Sequence, residues 1–132
     1  MLPDAEAKQW IEIADRDLAL AQHTALTMRP VPYELVCFHC QQFAEKYLKA
    51  YLVFKGLEPP HIHDLVRLAD LCAASNIVFN NIKNNCISLT EYGVQPRYPG
   101  NMQIIEEDMK TALIFAADIK KFMMEKIPEL FG

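Results

Sequence analysis

Apolar residues recur along this chain at helical spacing, and no segment alternates as a strand would. The pattern is clearest from Tyr33 to Lys55, YELVCFHCQQFAEKYLKAYLVFK. At about 100° per residue, Val36, Cys40, Phe43, Ala44, Tyr47, Ala50, Tyr51 and Phe54 share one wide face. His39, Gln42, Lys46 and Lys49, at i, i+3, i+7 and i+10, make a narrow polar stripe bracketed by Leu35 and Val53. Pro30-Val31-Pro32 precedes the stretch and Gly56 follows it. Proline lacks the N–H that a first helical turn leaves unused, and glycine suits a C-terminal cap. The pattern predicts a helix packed on a broad side, with hydrogen-bond donors along one seam.

A first helix is predicted from Asp4, as N-cap, to about Thr27. Its apolar arc takes in Trp10, Ile11, Ala14, Leu18, Ala21 and Ala25, with Ile13 and Leu20. Asp17 falls inside that arc. An unpaired buried carboxylate is costly, so Asp17 either finds a partner (Lys46, His39 or Arg97) or sits wet at the edge of the face. Pro59-Pro60 breaks the chain after the second helix. A third helix starts near His63-Asp64-Leu65 and runs to about Ser75, with Asp64 complementing the dipole of the first turn. Asn76 to Asn81 reads as a polar interruption, and a fourth helix covers roughly Asn81 to Thr90.

Glu91 to Asn101 is the long irregular segment. The last helix is predicted from about Gln103 to Lys126. Its buried face is Ile104, Ile105, Met109, Ala112, Phe115, Ala116, Ile119, Phe122 and Met123, with Asp108 close by as a second acid needing a partner. The tail from Ile127 to Gly132 is expected to fray. These elements make residues 1–132 a single all-α domain, an antiparallel up-down bundle of four to five helices.

Composition sharpens this picture. The chain is 132 residues long and 52% hydrophobic, high for a small soluble domain, and the excess points to an oligomer face. Net charge is −4 with no Lys/Arg run, which disfavours non-specific nucleic-acid binding but leaves room for a local basic strip. Cys37 and Cys40 form a C-x-x-C inside a predicted helix, without a second such pair or a histidine pair at ligand spacing. With Cys72 and Cys86 they are read as buried free thiols. No signal peptide or membrane-spanning run is read, so the expected setting is the reducing cytoplasm. No metal and no cofactor are expected.

Two places carry candidate chemistry. The seam His39-Gln42-Lys46-Lys49 suits phosphate or another anion, or else its lysines reach to water and His39 sits at the core edge. The loop from Tyr92 to Tyr98 holds Arg97 between a proline and an aromatic ring. Arg97 is placed to pair with a carboxylate or phosphate, or to pin the loop through Asp17, Asp108 or a helix end. His61 and His63 flank Ile62 without an acidic or thiol cluster, so helix-start packing is favoured over a metal site. No catalytic triad and no glycine-rich phosphate loop can be assembled.

Phe38-His39-Cys40-Gln41-Gln42-Phe43-Ala44-Glu45-Lys46-Tyr47-Leu48-Lys49-Ala50 resembles the second-helix signature of the HEPN domain family (higher eukaryote and prokaryote nucleotide-binding). His63-Asp64-Leu65, Tyr92 followed by Arg97-Tyr98-Pro99, and Ala14 with Asp17-Leu18 fit the same pattern in order. The resemblance implies a helical bundle, a homodimer, a nucleotide ligand, and pairing with a small nucleotidyltransferase as toxin and antitoxin. Ribonuclease members resemble one another in an Arg-x4-6-His motif near the last helices. Here no histidine follows Arg97 in the sequence. The missing general acid/base argues against metal-independent RNA cleavage. Arg16 and His23 have a six-residue gap, but on the outward face of the first helix. Two functions compete. One is a binding module that presents His39, Gln42, Lys46, Lys49, Tyr92, Arg97 and Tyr98, supported by Asp17, His63, Asp64 and Asp108. The other is a ribonuclease in which His39 or His63 replaces the missing histidine.

Overall fold

The protein is described by a computed structural model covering residues 3–93 and 103–132. Those residues form five α-helices and no strand: α1 Pro3–Thr27, α2 Tyr33–Phe54, α3 Leu65–Ser75, α4 Lys83–Thr90 and α5 Glu106–Lys126. Among the described residues there are also three short 3-10 turns, Ile77–Ile82, Glu91–Gly93 and Pro128–Leu130.

Helix α2 is the axis of the bundle, packed against α1, α3 and α5. Val36, Phe43, Ala44, Tyr47, Ala50 and Tyr51 are buried, as the wide apolar face predicts. Burial extends further: Cys37, Leu48, Leu52 and Val53 are also inside. A single buried face was too narrow a reading, because a central helix has neighbours on several sides. On α1 the buried stripe is Ala7, Ile11, Ala14, Leu18 and Ala21. Its three alanines let α1 and α2 lie close together. Ile13 and Leu20 remain 44% and 48% exposed, outside the core that the apolar arc assigned to them.

Local chemistry sets the helix ends. Helix α1 starts at Pro3, which puts Asp4 and Glu6 in its first turn, where their charge meets the positive end of the dipole. Gly56, at φ +77°, closes α2. Its N–H donates to the Val53 carbonyl at 2.8 Å, and Leu57 N–H donates to the Leu52 carbonyl at 2.9 Å. That bonding pair is the Schellman arrangement, which needs a left-handed residue at Gly56. Asp64 is the N-cap of α3, accepting from Val66 N–H at 2.9 Å and Arg67 N–H at 3.3 Å. Thr90 Oγ1 accepts from Leu65 N–H at 2.9 Å and so ties the end of α4 to the start of α3. Helix α5 begins at Glu106, later than expected, with Ile105 half-exposed at its cap. Asp108 Oδ2 accepts from Ile105 N–H at 2.9 Å, making Asp108 a capping residue of α5.

Two stretches are better ordered than their sequence suggests. The interruption after Asn76 is a 3-10 turn whose Phe79 is fully buried, 4.5 Å from the Tyr51 ring and 5.5 Å from that of Phe122. Asn76 caps this turn by accepting from Val78 N–H at 3.2 Å. The tail does not fray. Ile127 and Leu130, three residues apart on one tight turn, are 1% and 2% exposed, and the Phe131 ring lies 5.8 Å from that of Tyr47. Burying two such aliphatic side chains contributes about 1.5–3 kcal/mol each, enough to hold a six-residue end.

Candidate functional site

The polar stripe of α2 divides into two nodes, each built on a carboxylate. The first spans the α1–α2 junction. Asp17 Oδ1 lies 3.0 Å from His39 Nδ1, and Asp17 Oδ2 accepts from Lys46 Nζ at 2.5 Å. Antiparallel packing causes this: His39 and Lys46 are two turns apart on α2, and Asp17 of α1 falls between them. The Asp17 side chain is 13% exposed, against 25% for His39 and 22% for Lys46. The carboxylate is the anchor, and the His39 and Lys46 side chains reach outward from it. Of the partners proposed for Asp17, the structure supplies His39 and Lys46 together.

The second node lies deeper and centres on Glu45, whose side chain is 6% exposed. Lys49 Nζ donates to Glu45 Oε2 at 3.1 Å, a one-turn pair within α2. His63 Nδ1 sits 3.0 and 3.1 Å from the two Glu45 oxygens. Gln41, fully buried, donates from Nε2 to Glu45 Oε1 at 3.2 Å and to the His63 carbonyl at 3.0 Å. Gln42 Nε2 donates to Gln41 Oε1 at 2.8 Å, which joins Gln42 to this node. A buried charge of this kind persists because each partner is satisfied by another.

Gln41 and Glu45 are absent from the residues singled out in the sequence, although both lie in the quoted signature. The spacing held a usable signal. Glu45 stands four residues before Lys49, the favourable order for a helical ion pair, and four after Gln41. Gly93 presses on the node from outside. A Cβ at Gly93 would lie 3.0 Å from Gln41 Cδ and Nε2, close enough that the buried Gln41 amide would have to shift by a few tenths of an ångström to admit it.

The remaining candidates are dispersed. Tyr92 is buried, and loss of solvent pushes its phenol pKa up, with the nearby charges of Cys37 and Asp108 adding to the effect. Tyr47 is shifted the same way, by burial and by its 2.6 Å hydrogen bond to Asp15. Asp64 and Asp108 spend carboxylate oxygens on the caps of α3 and α5. Arg97 and Tyr98 lie outside the described residues. The four cysteines are buried free thiols. Burial pushes Cys37, Cys40 and Cys86 up to about 12, with Cys72 also raised. Thiols so disfavoured as thiolates are poor nucleophiles and poor metal ligands. Among the described residues no three His, Cys, Asp or Glu side chains are arranged to hold a metal ion. No described helix is long and apolar enough to cross a membrane.

The described residues thus form a small all-α bundle whose central helix carries two carboxylate-anchored polar nodes. Residues 7–127 match the HEPN domain, and the chain belongs to that family. No curated protein and no solved structure matches it.

Proposed function

We propose that this HEPN domain is a nucleotide- or partner-binding module that works as a homodimer with a minimal nucleotidyltransferase, in the manner of a toxin–antitoxin pair. The observation that carries this reading is the Asp17 node, where His39 and Lys46 are held at 3.0 and 2.5 Å yet keep part of their surface in solvent. An anchored ammonium beside an anchored imidazole has its entropy of ordering already spent, which favours binding of an anionic group. Family membership supports the nucleotide as that anion. The test is titration with ATP and AMP, followed by NMR of the His39 ring. Saturable shifts are expected, with affinity at least tenfold weaker in Lys46→Ala and His39→Ala. Absence of binding at millimolar nucleotide would leave only the protein-partner role.

A second reading, a metal-independent ribonuclease, is favoured by the Asp17–His39 contact, since a carboxylate on Nδ1 orients the ring as it does in acid–base pairs. Its test is RNA degradation by purified protein in chelator. Cleavage abolished by His39→Ala, and unaffected by Lys46→Ala, would displace the binding-module reading.

A further inference from the structure

We propose that the end of the bundle around Leu57 is a docking surface for a basic, leucine-bearing segment of a partner protein. Two hollows lie there, with Leu57 and Glu58 as their common wall. One, of about 320 Å³, is lined by Pro3 and Glu6 of α1, Val53 and Gly56 at the end of α2, and Pro59. The other, of about 400 Å³, is lined by Leu52, Pro60, Leu71 and Ala74. Both fall in the size range of binding pockets.

Local chemistry makes the hollows rigid. Gly56, left-handed at φ +77°, turns the chain off α2. Pro59 and Pro60 cannot continue a helix, so residues 57–60 run without regular structure between α2 and α3. Their fixed φ angles leave little freedom to lose when a partner binds. Leu57 donates its N–H to the Leu52 carbonyl, yet the residue is 52% exposed, and Leu71 is 44% exposed. These two large apolar side chains line one hollow and still face water, as the walls of an unfilled anchor pocket do.

Charge selects the occupant. Glu6 lines one hollow and Glu58 lines both, and among the described residues neither is in an ion pair. Asp4 shares the first turn of α1 with Glu6. The C-terminal end of α2 adds its negative pole. No lysine or arginine lines either hollow. Lys55, next to Gly56, instead lies over the rings of Tyr51 and Phe54, at 5.7 and 5.8 Å from their centres. An apolar groove with an acidic rim repels the phosphates of a lipid headgroup or a nucleotide and attracts Lys or Arg beside apolar anchors. The segment that fits places one apolar side chain in each hollow and its cations against Glu6 and Glu58. This surface is separate from the Asp17 node. Val53 stands two α2 stripes away from it, about 21 Å beyond His39 along the helix axis.

The probe is a fluorescein-labelled peptide, KLLKKLLK, titrated with the full chain and read by anisotropy. Saturable binding is expected, weakening several-fold between about 50 and about 300 mM salt, and none is expected for ELLEELLE. Leu57→Ser is expected to weaken binding about tenfold or more, and Glu6→Gln with Glu58→Gln about fivefold. Because Leu57 belongs to the cap of α2, Leu71→Ala on α3 gives an independent variant, expected to cost about fivefold in affinity. Ile114→Ser and Glu125→Gln, exposed positions on α5, should leave binding within about twofold of the unmodified chain. Absence of saturable binding, equal binding of ELLEELLE, binding that survives both Leu57→Ser and Leu71→Ala, or an equal loss in the α5 variants would overturn the proposal. Sedimentation velocity reads the rival occupant, a second copy of this chain. A fall in oligomer mass on Leu57→Ser would assign the groove to that copy and overturn the proposal as well. Nucleotide binding is read at His39 and Lys46, so failure of this surface leaves that reading standing, and the reverse.

Discussion

Asp17 and Glu45 each hold one lysine and one histidine, on opposite flanks of the same helix stripe, yet the two nodes are not equivalent. At Glu45 the lysine is buried with the carboxylate, and only the histidine reaches solvent. At Asp17 both partners are about a quarter or less exposed, and the carboxylate bridges two helices. The same three functional groups therefore divide their work by depth. A deep carboxylate with a buried ammonium is committed to holding the bundle, because neither charge can be left alone. A shallow one keeps its partners oriented while water still competes for them, which is the condition for exchange with a ligand.

Removing the hubs tests this contrast most directly. Glu45→Ala strands Lys49 in the interior and is expected to cost about 3–5 kcal/mol, a fall in melting temperature on the order of 10 °C or more. Gly93→Ala should follow, at about 1–3 kcal/mol, because the new methyl group displaces the Gln41 amide and loosens the deep node without touching its charges. Asp17→Ala is expected to cost less, about 1–2 kcal/mol, while abolishing ordered placement of His39 and Lys46. Thermal melts of the three variants settle the ranking. Equal losses for Glu45→Ala and Asp17→Ala would remove depth as the discriminator.

The smallest effect near neutral pH comes from the thiols. An ordinary thiol titrates near 9.0, whereas Cys37, Cys40 and Cys86 are held up to about 12 by burial. The folded state thus keeps protons that the unfolded chain loses, so these groups stabilise the fold fully below pH 9 and less as pH climbs from there towards 12. Melting temperature should be flat from pH 7 to 8.5 and decline above 9. A thiol reagent at pH 8 should label none of the four cysteines until denaturant is added.

Much of this was legible in the chain. The α2 period, the Gly56 stop, much of the buried stripe of α1 and an all-α bundle of four to five helices follow from residue spacing, since a helix repeats every few residues and its ends have chemical markers. Asp17 could be recognised as an acid in need of a partner for the same reason. Its choice of His39 and Lys46 could not be derived, because residues 22 and 29 positions apart meet only through the packing of α1 on α2. The buried tail was misjudged because Ile127 and Leu130 have no helical period of their own to read; their burial is a property of the surface they land on.

Local sequence alone determined the helices, their ends, the family resemblance and the identity of the polar residues available to a site, because each is encoded within a turn or two of chain. Tertiary structure alone decided that Gln41 and Glu45 belong inside, that one stripe becomes two nodes, and which histidine is left facing water. Burial depth is set by what packs over a residue, and that is supplied by distant parts of the chain.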